Sequence, residues 1–551
     1  MAIHQEESVK TLIKNLQSAM ENRRAPWIPY WQEAAELFFQ DRAFFADSPD
    51  EAVGEIRQLY NTAGTRAITK STAGFIGATS SRTTRFFRFS ITDQEMMKWP
   101  GVADYLELAE RVVYAELNRS NFYGAVGELV PNWFVINTAP MMIEEDVKRQ
   151  KVVFIPNHPK EILIDEDETG MVDTAIRMMY LSQKAIMQRF KANIPKELLD
   201  RMSQNPLNRM KVWHAILPMD GELYGAYEYK YTKKFPWASI WMLPDEDLIV
   251  DVGGYWEYPM PTGRYSKNTG SVYGRGPGLN AIHEALMANQ ISKSRLRLSQ
   301  LTSDPPWLTN KNLQGKDDVI PGNHIYSDGP NETMQALDVG ANYPNTLDTE
   351  KRMDDIIYET FNVDMWMALQ RSERARTAFE VDAILSEHAS TLGPMTDRYN
   401  TEILSPAIKR TYAIAVRSGR LPQPPEGLLK SGAKIVIDFI GYLSQLQRKH
   451  FSVAGLASGM EHLRMTAEMF PQSLDVVNGD ELMRVGLDGH GMAQSIIREE
   501  PDVQQLRQYR AEIQAQQMQE QIAAEAQIGV TKRIDPNKVP EEGSLAAGGQ
   551  R

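Results

Sequence analysis

Between Pro277 and Ser303, apolar side chains return at three-, four- and seven-residue spacings: Leu279, Ile282, Leu286, Ile291, Leu298 and Leu301. That period puts them on one face of a helix. Polar residues fill the second half, among them Lys293, Arg295 and Arg297. Pro277 suits the first turn, since its φ is fixed and its missing N–H has no helical partner to lose. Asp304-Pro305-Pro306 ends the run. The spacing predicts one unbroken helix over 279–302, about 24 residues and roughly 36 Å long at 1.5 Å per residue. Before it, Tyr255 to Pro261 is aromatic and proline-rich. Tyr273-Gly274-Arg275-Gly276-Pro277 then reads as a strand-to-helix corner, where glycines permit unusual φ values and close approach.

The same periodicity divides the rest of the chain. Residues 8–45 read as helical, with Trp27, Trp31, Ala34, Ala35, Phe38 and Phe39 on one face and Pro26 and Pro29 interrupting it. Residues 59–79 form a second helix with a small face of Ala63, Ala67, Ala73 and Ala78. Arg82, Arg85 and Arg88 alternate with Phe86, Phe87 and Phe89. Such a run can stack on nucleic-acid bases, but a strand with buried aromatics and outward arginines is the simpler reading. Residues 102–138 are helical with a break at Asn121-Phe122-Tyr123. From Met141 to Ile164 the period shortens to that of strands, and strands return over 211–251 around a helix started by Ser182, a good N-cap. His214 reads as a packed strand residue, since no second histidine lies at metal-ligand spacing. Residues 318–340 are short strands and 347–361 a helix. Thr377 with Glu380 forms a capping box for a helix running to 418, segmented by Pro394 and Pro406. A strand follows at 434–440, then helices over 442–500 and a Gln-rich helix over 502–527.

Composition narrows the function classes. At 551 residues the chain exceeds one simple core. It has no cysteine, which removes disulfides, thiolate metal sites and cysteine nucleophiles. There is no apolar run of membrane-spanning length, and the first residues read as a polar helix rather than a signal peptide. The net charge of -12 argues against a broad surface that grips duplex DNA, though an acidic wall can let DNA slide past.

Recognisable catalytic chemistry is missing. Gly274-x-Gly276-x-Gly278 lacks the Rossmann spacing, and there is no P-loop Gly-Lys-Ser/Thr. No Gly-x-Ser-x-Gly or His-Glu-x-x-His occurs. Asp165-Glu166-Asp167-Glu168 could hold a hard cation, but its spacing is not that of an EF-hand and a solvated turn is the plainer reading. No catalytic residue, metal ligand or cofactor is assigned.

The order of several landmarks resembles the head-to-tail connector, or portal, proteins of T7-like short-tailed bacteriophages. The resemblance covers Trp27 to Leu506. It rests on Ser120-Asn121-Phe122-Tyr123, on Asn137-Thr138-Ala139 where Gly-Thr-Ala is more usual, and on the acidic turn from Asp165. Tyr255 to Pro306 carries the most weight. Thr377-Ala378-Phe379-Glu380-Val381 and Gln445-Leu446-Gln447-Arg448 follow, with Phe379 and Leu446 departing from the family pattern. The resemblance implies a mixed α+β, predominantly α-helical portal fold with wing, stem, clip and crown layers, assembled as a ring of usually twelve copies. It implies wing and clip regions in 1–272, a stem helix in 273–306, and wing strands and helix in 307–361. A tunnel loop in 362–376, a long wing helix and strand in 377–440, a helical crown in 441–528 and a disordered tail in 529–551 complete the chain. Arg371, Arg374 and Arg376 are then candidates to face channel DNA or to bridge subunits, and Gly274, Arg275, Gly276 and Pro277 form a structural turn. The implied partners are double-stranded DNA without sequence specificity, the major capsid protein, the terminase large subunit, the tail adaptor and internal core proteins. The implied location is the portal vertex of the virion, after assembly in the host cytoplasm and with no membrane. A non-ring scaffold or minor capsid protein is the first competing reading, and a DNA-processing enzyme the second.

Overall fold

The computed structural model describes residues 2–39, 57–93, 96, 99–219, 235–305, 307–310, 324–327, 335–336, 343–370, 392–431, 434–441, 444, 463–465, 478–480, 482–484 and 500–531. They fall into two compact units, Met1–Phe451 and Ser452–Arg551. In the second, the Glu500–Thr531 helix carries Arg507, which pairs with Asp480 at 2.6 Å. Residues 220–234 of the expected strand region, the Arg371, Arg374 and Arg376 cluster, the capping box at Thr377, most of 442–500 and the tail lie outside the described residues.

In the first unit, Pro26 and Pro29 tighten the chain into a 3-10 turn, Ala25–Trp27, between the Ala2–Arg24 and Ile28–Phe38 helices. Trp31, Ala34, Ala35 and Phe38 are buried as their spacing predicts. The Ala63–Thr79 helix buries Ala63, Ala67 and Ala78, but Ala73 faces outward. The contact there passes through Gly74 and Phe75 instead. A Cβ on Gly74 would lie 2.5 Å from the Trp366 Cβ. Phe75 sits among Trp133, Phe134, Trp366 and Tyr399, with ring centroids at 5.1, 5.7, 5.4 and 4.8 Å. Helices Val102–Arg119 and Phe122–Val135 close this core.

Strand β1 (Phe87–Ile91) answers the Arg/Phe question. Phe86, Phe87 and Phe89 are buried, while Arg85 pairs with Glu110 at 3.0 Å and Arg88 with Asp438 at 3.4 Å. Those rings are core and are not available to bases.

Strands β2 (Thr138–Asp146), β3 (Lys151–Pro156), β4 (Ile162–Glu166), β5 (Val172–Ser182), β6 (Arg209–Pro218), β7 (Trp237–Leu243), β8 (Leu248–Tyr255) and β9 (Thr262–Arg264) follow. β4 to β8 make an antiparallel sheet in sequence order, and β2 joins β3 and β9 in a second. Alternation along β6 sends Trp213, Ala215 and Leu217 toward Val9, Ile13 and Met20 of the first helix. Val212 faces Ile186, Phe190, Leu198 and Met202 on helices Gln183–Phe190 and Lys196–Gln204. Ser182 caps the former, its Oγ accepting from the Ala185 N–H at 3.3 Å.

His214 is a packed strand residue. It stacks on Trp241 at 4.0 Å, and its Nε2 lies 2.9 Å from the Ser239 Oγ. Burial, then the charges of Arg177 and Arg189, holds its pKa well below 6.5. The unfolded chain therefore binds a proton at this residue that the folded chain refuses. Stability is full above about pH 6.5 and falls below it, by up to about 1.4 kcal/mol per pH unit from this group. Urea unfolding at pH 7.5 and 5.5 should show a smaller acid loss in His214→Gln than in the parent chain. Equal losses in the two would refute the assignment.

The long helix departs from expectation. Pro277–Asn280 makes one turn, Ala281 interrupts it at φ -92 and ψ 8, and Ile282–Ser303 runs on. The first turn is pinned, because a Cβ on Gly278 would lie 2.1 Å from the Val135 carbonyl oxygen. The axis must reset before leaving that contact. The buried face is also smaller than predicted: Ile282, Ala285, Ala288, Ser292 and Leu301 are buried. Leu286, Ile291 and Leu298 are only half-buried, and Met287 and Leu296 are exposed.

Small residues let the Tyr343–Thr360 helix lie alongside, where Glu350 accepts from the Ser292 Oγ at 2.6 Å and pairs with Arg295 at 3.0 Å. Residues 307–361 hold strands and a helix, as expected. Their helix pairs with Ile282–Ser303, and β10 (Trp307–Asn310), β11 (His324–Ser327) and β12 (Gln335–Ala336) form a sheet of their own between the two helices in sequence.

The expected loop at 362–376 begins as a helix, Val363–Gln370, because Trp366 is an anchor of the core. Beyond it, helix 392–399 passes through a π-turn, Asn400–Leu404, into Ser405–Arg417. Pro406 has no N–H to offer the carbonyl four residues back, and a widened turn relieves that defect. Strand β13 (Ile435–Phe439) returns to pair antiparallel with β1.

Candidate functional site

The corner at 274–278 is built against the end of the Phe122–Val135 helix. Asn137 adopts φ +62, a left-handed value that asparagine tolerates. Its Nδ2 donates to the Phe134 and Trp133 carbonyls at 2.8 and 3.3 Å, and its carbonyl accepts from the Tyr265 N–H at 3.1 Å. Gly274 donates to the Thr138 Oγ1 at 3.0 Å, and a Cβ there would lie 2.1 Å from the Asn137 carbonyl oxygen. Gly276 is extended at φ 178, which any residue can adopt, so space is what it supplies. The Asn137 Nδ2 and the Tyr265 ring would stand 2.6 and 2.8 Å from its Cβ. Arg275 is exposed; its N–H donates to the Ser266 carbonyl at 2.8 Å and its guanidinium lies 5.6 Å from the centre of the Trp27 ring. Tyr273 packs edge-on to Trp31 at 5.2 Å, and burial pushes its phenol up to about 12. The N–H groups of Gly274 and Arg275 are thus spent inside the protein and Pro277 has none. The turn is a structural joint and offers little to a phosphate.

Behind the corner lies a buried arginine that the sequence did not single out. Arg264, 1% exposed, donates from Nη1 to Glu166 and from Nη2 to Glu402, each at 2.8 Å. Nη2 also reaches the Gly170 carbonyl at 2.7 Å, and the Arg264 N–H donates to Glu402 at 2.6 Å. Lys267 completes Glu166 at 2.8 Å, and Arg398 reaches Glu402 at 3.2 Å. One side chain therefore ties together the end of β9, the acidic turn and the π-turn. The π-turn is close enough that a Cβ on Gly263 would meet the Ile403 side chain at 2.1 Å. A second arginine works alike: Arg410 donates to the Ile143 and Glu257 carbonyls at 2.9 Å each. Burial lowers its pKa, opposed by the nearby Glu144 and Glu257.

The acidic turn is consumed by these contacts. Asp165 pairs with Arg23 at 2.8 Å and Glu166 with Arg264 and Lys267. Asp167 accepts from the Thr169 hydroxyl at 2.6 Å and from the Thr169 and Met171 N–H groups, which holds its carboxyl below the usual range. Among the described residues no group of three or more acidic, histidine or cysteine side chains is placed to hold a metal ion.

The structure thus brings Gly274, Gly276 and Pro277 together on one buried joint and leaves Arg275 at its surface. Arg264, Glu402 and Arg410 were missed, because nothing local marks an arginine whose partners lie far along the chain. Asn137 did leave a signal, as an asparagine in a place where the resembled family more often has glycine.

A family model described as bacteriophage head to tail connecting protein matches residues 10–497. The chain belongs to that family. This connector is 24% identical over 557 residues to the portal protein of Salmonella phage epsilon15, with 98% of each chain covered. It is 23% identical over 525 residues to the probable portal protein of Bordetella phage BPP-1, with 92% of each covered. The matched span includes the connector's corner, its Arg264 network and residues 371–376. No helix among its described residues is long and apolar enough to cross a membrane.

Proposed function

We propose that this connector is the portal subunit of a short-tailed bacteriophage, closing into a ring, of twelve copies in our reading, at one capsid vertex. Genome DNA enters and leaves through its channel, and terminase and tail adaptor dock on it in turn. The observation that carries this reading is the match to two portal proteins over nearly the whole chain. The internal organisation agrees with it. A head-to-tail ring needs two different faces on each subunit. The paired helices Ile282–Ser303 and Tyr343–Thr360 present such a rod, with Met287 and Leu296 exposed on one of them. We assign this pair to the stem, β10 to β12 to the clip, the flanking helices and sheets to the wing, and the C-terminal helices from 441 to the crown. A conduit must not hold its cargo by many phosphate contacts, and the net charge of -12 suits that requirement.

Arg371, Arg374 and Arg376 are proposed to meet the phosphates locally at the channel wall. Native mass measurement of the purified chain tests the ring. A closed assembly of about a dozen 62.5 kDa subunits is expected, and a monomer or an open filament under packaging conditions would overturn it. On the same rings, reversal of Arg371 and Arg374 to glutamate should leave the mass unchanged and lower DNA packaging or retention. Unchanged packaging would refute the contact while leaving the ring intact.

A further inference from the structure

The sheet of β1 and β13 has two edges, and among the described residues only the β1 edge meets a side-chain cap, at Phe87. The Ile440 N–H donates to the Phe86 carbonyl at 2.9 Å, just beyond the register Phe87↔Phe439, Phe89↔Ile437 and Ile91↔Ile435. Bonded and non-bonded pairs alternate in an antiparallel ladder. The bonded Phe86/Ile440 pair therefore makes Arg88/Asp438 and Ser90/Val436 the inward pairs. It turns the peptide groups of Phe87, Phe89 and Ile91 out on one side, and those of Ile435, Ile437 and Phe439 out on the other. On the β1 side Tyr114 caps the start of the edge: its hydroxyl accepts from the Phe87 N–H and donates to the Phe87 carbonyl, both at 2.9 Å. On the β13 side no described residue meets those groups, and Val436 is 38% exposed. Open edges of this kind are templates for another strand.

The surroundings of the open edge state what strand it takes. Beside it lies a cleft of about 240 Å³ lined by Phe89, Ile435, Ile437, Lys409 and Tyr412. A strand added to β13 would set alternate side chains next to Ile435 and Ile437, over this apolar cleft. Lys409 and Lys434 are exposed at its margins and meet no carboxylate among the described residues. A second copy of this chain is a poor donor. Its β13 would bring the same lysines against these, and on its β1 the Phe87 peptide group that would start a ladder is already taken by Tyr114.

We propose that β13 is a docking edge for an extended segment of a partner protein with aliphatic residues at alternate positions and acidic residues at its ends. Main-chain hydrogen bonds supply the affinity, and the cleft and lysines supply the selectivity. This does not rest on the ring. The test uses the full-length chain and a fluorescein-labelled peptide, Glu-Val-Thr-Ile-Thr-Glu, followed by anisotropy. Saturable micromolar binding is expected, lost when both glutamates of the peptide are replaced by lysine. Ile437→Pro removes an outward N–H without touching the inward ladder, and should weaken binding about tenfold. Lys409→Glu, on the surface and outside the ladder, should do the same if the proline variant fails to fold. No saturable binding, or equal binding by the parent and the folded variants, overturns the proposal. Binding to the free chain but not to its assembled form assigns the edge to a neighbouring copy, and overturns it as well.

Discussion

Arg264→Met should destabilise the Met1–Phe451 unit by about 3–5 kcal/mol, the range for breaking a buried ion pair from one side. The size follows from what is left behind. Glu402 is 6% exposed and would keep, among the described residues, only Arg398 as a charged partner, while the Gly170 carbonyl would lose the Arg264 donor. Glu166 fares better, since Lys267 remains at 2.8 Å. The penalty therefore falls on the π-turn side of the joint. Arg264→Lys keeps the charge but cannot bridge two carboxylates and a carbonyl with one ammonium, so it should recover less than half of the loss. Glu402→Gln in the methionine background removes the stranded charge and should restore part of the stability. Urea unfolding of these chains, with Glu402→Gln alone to complete the cycle, gives the coupling directly. A methionine variant within about 1 kcal/mol of the parent would mean that the guanidinium is not what holds β9 to the π-turn.

That joint also marks where sequence reasoning stops. Arg264 and Glu402 lie 138 residues apart, and Arg264 and Glu166 lie 98 apart. Neither spacing leaves a local period or motif. Elements whose burial is decided within one or two turns were legible: the Trp31-to-Phe38 face, the Phe86–Phe89 strand and the Ser182 cap. Elements decided by a distant neighbour were not. Ala73 follows the small-residue pattern of its helix yet faces outward, because Trp366 sets which side is covered. The helix after Pro277 has an unbroken period, yet it stops at Ala281 because its first turn is pressed on Val135. The Val363–Gln370 segment lies in the span where the resemblance implies a loop, and it is a helix whose Trp366 is buried among residues far along the chain. The corner itself was legible as a turn, and the resemblance it carried agrees with the family match. What the sequence alone did not supply was the reason for each glycine.

Those reasons differ, and they predict a ranking. Gly274→Ala and Gly278→Ala each place a methyl 2.1 Å from a main-chain carbonyl oxygen, of Asn137 and Val135. A carbon and an oxygen need more than 3 Å, so the backbone of the corner or of the helix end must move by about 1 Å. Close-packed interiors resist such shifts at about 1–3 kcal/mol for overpacking, and more when backbone has to give. Each substitution should therefore cost about 3 kcal/mol or more and alter the path from β9 into the Ile282–Ser303 helix. Gly276→Ala meets the Asn137 side-chain amide and the Tyr265 ring instead, which can yield by rotation, and should cost less. Gly77→Ala, in the Ala63–Thr79 helix with nothing within 4 Å, should be neutral or slightly stabilising, since alanine is the better helix former. Thermal and urea unfolding of the four variants checks the order. The decisive comparison lies within the corner, where all the glycines share one short segment and one set of neighbours. If Gly276→Ala proved as damaging as Gly274→Ala, side-chain freedom would not be what separates them, and the Asn137 amide and the Tyr265 ring would have to be held as firmly as the two carbonyls.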